Sequence, residues 1–339
     1  MDFFNDTENQ IRRLPPGVKD FLFEEARQRR TVERRLTELW AGAGFQEIIT
    51  PAVEYSEVFL VAGKTRHGRN SLDEKIHRFL DRDGNLLALR ADFTSQVARI
   101  AASRFAGVSA PIRIFYSGKI FRAEPHDAGR RREKWQVGFE ILGANDIAAD
   151  AEAVTRILDS CAALNLDKIR IAIGHIGYFN GLMAQAGIAG ELLQTLQYLV
   201  ERKDTAGLAQ VAQDSPRPLA VREALLRFPN LHGGGEILPE ARELAPNEIS
   251  RAAVARLEAL LAAIQTHPQA DKVFLDLSEV EGLGYYTGIM LRAFVAGAGQ
   301  EVGSGGRYDD LISRFGADLP AVGFSFDLDL LVEALRSCA

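Results

Sequence analysis

Cysteine is almost missing from this chain. There are two in 339 residues, Cys161 and Cys338, too few and too far apart for a disulfide framework. Cys161 falls on the apolar side of a helical pattern and Cys338 next to the last residue, so both read as reduced thiols. Long apolar runs are missing too, and none approaches the ~20 residues that a membrane span requires. The opening segment, MDFFNDTENQ, is acidic and polar and unlike a secretion signal. A basic surplus is also lacking. The net charge is −6, whereas dedicated nucleic-acid binders carry excess cations to neutralise phosphates. The six histidines (67, 77, 126, 175, 232 and 267) have no metal-ligand spacing. Neither an internal repeat nor a low-complexity segment occurs. These absences lead us to expect a cytoplasmic protein with no metal, no cofactor and no membrane segment.

What is present suits a folded chain with a substantial core: 47% hydrophobic and 25% charged residues. Residues 24–41 carry Val32, Leu36, Leu39 and Trp40 at helical spacing, and Gly42 and Gly44 stop the pattern. The strand FQEIIT follows and Pro51 ends it. Residues 75–90 read as a hairpin about Asp83-Gly84, and a helix starts near Thr94. IRIFYSGKIFRAE reads as a strand, PHDAGRRREK as a basic loop, and WQVGFEILG as a second strand. Trp135, Val137, Phe139 and Ile141 point one way from it, and Gln136, Gly138, Glu140 and Leu142 the other. The pair predicts a long antiparallel hairpin. A helix over 148–164 and the strand KIRIAIG come next. Residues 180–265 read as a helical insertion with a glycine-rich break at His232-Gly233-Gly234-Gly235. Strands VFLDLS, YYTGIMLRAFV and AVGFSF and a helix over 327–337 complete the chain. The order predicts an α+β fold with a mixed, mainly antiparallel sheet flanked by helices, without the strict βαβ rhythm of a doubly wound fold.

Four segments could carry chemistry. Arg122 and Glu124 share one face of the first hairpin strand, and Gln136 and Glu140 one face of the second. They are either a solvated sheet face or the floor of a pocket for a zwitterion. In the second case acceptors would hold an ammonium and the guanidinium fork a carboxylate. Asp92 or Thr94, in LRADFT, either caps the following helix or points oxygens into a cleft. Tyr285 and Tyr286, in GLGYYTG, are either strand packing or ligand contacts, with glycines that allow close backbone approach. Gly303–Asp309, GSGGRYD, is a glycine-rich turn of either structural or ligand-contacting kind.

In this order the segments resemble the catalytic core of class II aminoacyl-tRNA synthetases. They are most similar to the histidine-specific synthetase and its paralogue, the regulatory subunit of ATP phosphoribosyltransferase. LPPGVKDFLFEEA and GFQEIITPAVEY resemble the entry and motif 1, and FRAEPHDAGRRREKWQVGFEILG resembles motif 2. GLGYYTG and GGRYDDL resemble the two segments peculiar to the histidine group, and AVGFSFDLDLL sits at motif 3. The resemblance spans Leu14 to Leu335 and is weakest in the insertion. It implies a histidine pocket in which Asp92, Thr94, Gln136 and Glu140 surround the ammonium, Arg122 faces the carboxylate, and Tyr285 and Tyr286 lie by the imidazole.

The departures from the synthetase are confined to its phosphate side. Where the synthetase has an arginine before its Gly-Leu-Asp-Tyr-Tyr, this chain has Glu281, and the Asp is Gly284. Where motif 3 ends in a phosphate-gripping arginine, this chain has Leu330. Loss of such cations disables adenylate chemistry. LRADFTSQVARI is closer to the regulatory paralogue than to the synthetase. The chain stops soon after motif 3, which predicts residues 1–339 as one synthetase-like core without an anticodon-binding domain, and no tRNA partner. The resemblance thus implies a non-catalytic regulatory subunit. It would bind the short catalytic subunit of ATP phosphoribosyltransferase, dimerise through motif 1 within a hetero-octamer, and make histidine biosynthesis sensitive to histidine. The alternatives are a synthetase-like enzyme that forms an aminoacyl-adenylate and an amino-acid-binding paralogue with another partner. Arg130, Arg131, Arg132 and Lys134 are either a solvated loop, an anion site or a partner contact.

Overall fold

The computed structural model describes residues 12–63, 73–105, 107–123, 131–213, 219–280, 284–296 and 298–338. Helix α1 (Phe23–Gly42) buries Val32, Leu36 and Trp40 on one stripe, and Gly44 ends the turn at φ +87°, a conformation that favours glycine. Strands β1 (Gln46–Glu47) and β2 (Val53–Tyr55) lead into α2 (Ser56–Gly63), so FQEIIT is a shorter strand than its composition suggests. β3 (Arg78–Leu80) and β4 (Leu86–Leu89) form the expected hairpin, and β4 also pairs with β2 in a small separate sheet. Helix α3 (Thr94–Arg104) precedes β5 (Ile112–Phe121) and β6 (Glu133–Leu142). This hairpin runs in unbroken antiparallel register from Ile112 opposite Leu142 to Phe121 opposite Glu133. Lys134 belongs to β6 rather than to the loop.

Helix α4 (Ile147–Ala163) starts at Asp146, whose carboxylate accepts from the Ala149 N–H at 2.9 Å. After β7 (Ile169–His175) come α5 (Ile176–Gln185), α6 (Gly190–Glu201), α7 (Thr205–Gln213) and α8 (Leu219–Arg227). Then β8 (His232–Gly233), α9 (Leu238–Leu244) and α10 (Glu248–Ile264) follow. The expected glycine-rich break therefore contributes an edge strand, because β8 pairs with β9 (Val273–Asp276). β10 (Ile289–Val295), β11 (Glu301–Arg307), β12 (Ala321–Asp327) and α11 (Leu328–Cys338) close the fold.

Among the described residues nine strands form one sheet in the order β1-β5-β6-β12-β11-β10-β7-β9-β8, with β1–β5 and β7–β9 parallel and the other pairs antiparallel. Strand alternation sends Phe115, Val137, Phe139, Phe324 and Phe326 to one face, where Trp40, Val154 and Leu257 complete the main core. That core continues into the insertion through Leu193, Leu196 and Phe228. The opposite face carries Ile114, Tyr116 and Ile120, which pack with Phe93 and Val97 of the α3 region and with Tyr308. Gln136 and Glu140 of β6 emerge on this second face.

Candidate functional site

The second face holds a cleft that brings together all seven residues singled out in the sequence: Asp92, Thr94, Arg122, Gln136, Glu140, Tyr285 and Tyr286. Glu124 and Glu281 lie outside the described residues. Tyr285 and Tyr286 sit before β10 rather than within it, yet they also pack: Tyr285 is buried in the second core and Tyr286 lies against it. The GSGGRYD segment forms the end of β11 rather than a turn and lines the cleft through Ser304, Gly305 and Tyr308, whereas sequence reasoning missed Tyr116 and Gly323, which also line it. A signal was available for Tyr116: it lies opposite Gly138, the small residue between Gln136 and Glu140.

Glu140 is the base of the site and is 2% exposed. Tyr308 Oη donates to its Oε2 at 2.7 Å, while Tyr116 Oη and Thr94 Oγ1 approach Oε1 at 3.2 and 3.3 Å. Burial pushes this carboxyl up to about 7 although the three hydroxyl donors favour its charged form. The packing around it is tight. Gly323 lies opposite Glu140 across the β6–β12 pair, and a Cβ there would fall 1.5 Å from Oε2.

The donors to Glu140 are themselves held. Phe93 stacks on Tyr116 with centroids 4.2 Å apart, and the Arg90 guanidinium lies over Phe93 at 3.9 Å. Arg90 is fixed by the carbonyls of Thr50 and Lys119. Beside Tyr308, Arg307 is buried and donates to Asp150 of α4 at 2.8 Å and to the Ala144 carbonyl at 2.9 Å. Asp150 also receives Arg256 of α10 at 2.6 Å. This network ties the end of β11 to two helices of the main core.

Asp92 does both things its position allowed. Oδ1 accepts from the Ser95 N–H at 2.8 Å at the start of α3, while Oδ2 is buried with no hydrogen-bond partner in the protein. Burial raises its pKa, against the Ser95 bonds and the nearby Arg122. Gln136 repeats the pattern: its amide donates to Ser325 Oγ at 2.6 Å and its buried Oε1 has no partner. A buried acceptor left unpaired costs about 1–3 kcal/mol. Two such acceptors beside a second carboxylate, Glu140, can receive the N–H donors of a cation. Arg122, donating to the Ala91 carbonyl at 3.3 Å, supplies a half-buried cation on the same cleft. Tyr285 and Tyr286, with centroids 5.0 Å apart, form an aromatic wall that continues into Tyr308. The cleft thus offers anionic acceptors, a guanidinium and phenol rings, the set that an aromatic or heteroaromatic amino acid needs.

Among the described positions that differ from the synthetase, Gly284 adjoins Tyr285 of the cleft, whereas Leu330 does not line it. Leu330 packs against the main core. The preceding Asp329 is 2% exposed and is gripped by Arg29 and by Arg131, the latter at 3.0 Å, while Arg131 also pairs with Glu333. The reading of the basic cluster as a solvated loop is thus corrected for Arg131, and Arg130 lies outside the described residues. Cys161 is buried in α4, and burial pushes its thiol up to about 12. No group of three or more His, Cys, Asp or Glu among the described residues could hold a metal, and no described helix is long and apolar enough to cross a membrane.

Fold and cleft together define a protein of the histidyl-tRNA synthetase type. The family model for histidyl-tRNA synthetase matches residues 17–331. A solved structure from Bacillus halodurans, described as an ATP phosphoribosyltransferase regulatory subunit/histidyl-tRNA synthetase, superposes with a TM-score of 0.87 at 30% identity, covering 95% of this chain and 83% of that one. A histidine–tRNA ligase subunit from Alicyclobacillus acidocaldarius gives 0.79 at 26% identity over 96% of this chain and 98% of that one. Among curated proteins, the ATP phosphoribosyltransferase regulatory subunit of Geobacter metallireducens is 38% identical over 95% of this chain and 74% of its own length. That of Geobacter sulfurreducens is 39% identical over 95% and 73%. The chain belongs to the family of ATP phosphoribosyltransferase regulatory subunits.

Proposed function

We propose that this chain is a non-catalytic, histidine-binding regulatory subunit that activates a short catalytic ATP phosphoribosyltransferase subunit in the cytoplasm and confers feedback inhibition by histidine. One observation carries the binding half: the unpartnered buried acceptors Asp92 Oδ2 and Gln136 Oε1 share a cleft with Glu140, Arg122 and the tyrosine wall. In this reading Asp92, Thr94, Gln136 and Glu140 accept the ligand's N–H donors, Arg122 pairs with its carboxylate, and Tyr285 and Tyr286 flank its ring. An analogue that lacks one polar group leaves a buried partner unpaired, which gives the site its selectivity.

The non-catalytic half is supported by what became of the cations that handle phosphate in the synthetase. Leu330 supplies none at the motif 3 position, and Glu281 stands where the synthetase has its other arginine. Feedback requires that histidine bind two arrangements of the assembly with different affinity. Pairing of two copies through motif 1, within a hetero-octamer, is supported by the apolar side chains exposed there and on the adjoining small sheet: Ile49 at 89%, Leu80 at 69% and Tyr55 at 55%. The test is ATP–pyrophosphate exchange with histidine, together with co-expression with a short catalytic subunit. Absent exchange and a histidine-sensitive complex are expected. Robust exchange would instead identify an aminoacyl-adenylate-forming enzyme. Failure to form a complex would point to an amino-acid-binding paralogue with another partner.

A further inference from the structure

A second cavity, of about 390 Å³, lies on the other face of the β5–β6 hairpin, between the segment before α1, the hairpin's open end and the start of α11. Lys119 and Trp135 lie opposite each other in the hairpin register and both line it, whereas Gln136 and Glu140 face the first cleft. Its volume falls within the ~300–1,000 Å³ of small-molecule sites. The lining cations are Lys19, Lys119, Arg131 and Lys134, against the two carboxylates Glu133 and Asp329. Three of these cations have carboxylate partners: Lys19 pairs with Glu25, Lys119 with Glu133, and Arg131 with Asp329 and Glu333.

Part of this positive charge is built in. Arg29 and Arg131 share the buried carboxylate of Asp329, and Nε of Arg29, a residue only 8% exposed, has no hydrogen-bond partner. Burial and the neighbouring Arg131 push the Arg29 guanidinium down to about 10, against the opposing pull of Glu25, Asp327 and Glu333. Lys119 is paired with Glu133 at 2.7 Å and Lys19 with Glu25 at 2.9 Å, but their side chains are 45% and 54% exposed, so these pairs exchange readily for a stronger anion. The aromatic walls are Phe21 and Trp135, stiffened by Arg29 over Phe21 at 3.3 Å and Arg30 over Trp135 at 4.7 Å.

We propose that this cavity is a second small-molecule site, separate from the amino-acid cleft, that takes a nucleoside phosphate, its phosphate among Lys19, Lys119 and Arg131 and its base against Phe21 and Trp135. The basic residues at the end of the motif 2 loop thereby acquire a role on the face opposite the cleft. This site stands whether or not histidine occupies that cleft.

Trp135 makes the test direct. The chain has two tryptophans, and the other, Trp40, is fully buried in the main core. Adenosine monophosphate titrated into the full chain should change tryptophan fluorescence saturably, and Trp135→Phe should abolish the signal. Adenosine alone should give no saturation. The Lys19→Gln/Lys119→Gln double variant, altered at exposed positions, should weaken binding by about tenfold or more, and added salt should weaken it further. Arg122→Ala, in the other cleft, tells the two sites apart. Lost binding there with unchanged binding in the lysine variant would overturn the proposal, as would the lack of saturation at millimolar nucleotide. Inorganic phosphate binding as tightly as the nucleotide would overturn the assignment of a nucleoside.

Discussion

Glu140→Gln keeps the shape of the side chain and removes the charge that a ligand ammonium or ring N–H would meet. The amide oxygen can still accept from Tyr308, and its NH₂ can donate to the hydroxyl oxygen of Thr94 or Tyr116, so the unliganded network stays nearly intact. The loss falls on the ligand. A hydrogen bond to a charged group contributes about 1.5–3 kcal/mol, which is roughly tenfold to 150-fold in Kd for histidine by calorimetry. Stability should move the other way. Burial raises the Glu140 carboxyl from 4.5 to about 7, so the folded chain holds this proton more tightly than the unfolded chain does. The penalty is absent below about 4.5, grows as pH rises, and is complete above about 7, where it amounts to about 3 kcal/mol. Glutamine has no such penalty. Relative to the parent chain, the variant should gain stability steadily between pH 4.5 and 8, read as a rising difference in denaturation midpoint, while its histidine affinity falls. A pH-independent stability difference would refute the account of Glu140 burial, and unchanged affinity would remove Glu140 from the ligand site.

Histidine binding near pH 7 should release protons, because a bound cation drives Glu140 to its charged form; calorimetry in buffers of different ionisation enthalpy measures this directly. Arg122→Ala should weaken histidine more than histidinol, which lacks the carboxylate, and competition binding that gave equal losses would place the carboxylate elsewhere. Gly323→Ala puts a Cβ within 1.5 Å of Glu140 Oε2, so it should abolish histidine binding and cost about 1–3 kcal/mol by overpacking, measured by denaturant titration. Trp40→Ala removes a fully buried ring, together with its Nε1 hydrogen bond to Ser160 at 3.0 Å. It should destabilise the fold by about 3–5 kcal/mol in the same assay.

Much of this molecule is legible in the order of its residues. The β5–β6 hairpin followed from strict alternation over WQVGFEIL, because a period of two assigns each residue to a face regardless of its partners. The ordered motifs picked out the seven cleft residues, since residue type and order carry the chemistry that a pocket needs. Short-range pattern also defined α1, α4 and their ends.

Other features depend on contacts between distant segments, which periodicity does not encode. Tyr308 is 168 positions from Glu140, and their hydrogen bond exists because β12 alone separates β6 from β11 in the sheet. His232-Gly233 is a strand because β9 offers it an edge, although its composition reads as a break. Asp92 alone could be a cap or a ligand group, and only the fold shows that one oxygen caps α3 while the other stays buried without a partner. Arg131, a loop cation in the sequence, becomes half of an ion cluster once α11 brings Asp329 to it. Residue type and periodicity specify which chemistry and which strand faces this protein has. The tertiary structure decided which polar groups are neutralised and which remain to bind, because burial and counter-charge are set by long-range packing.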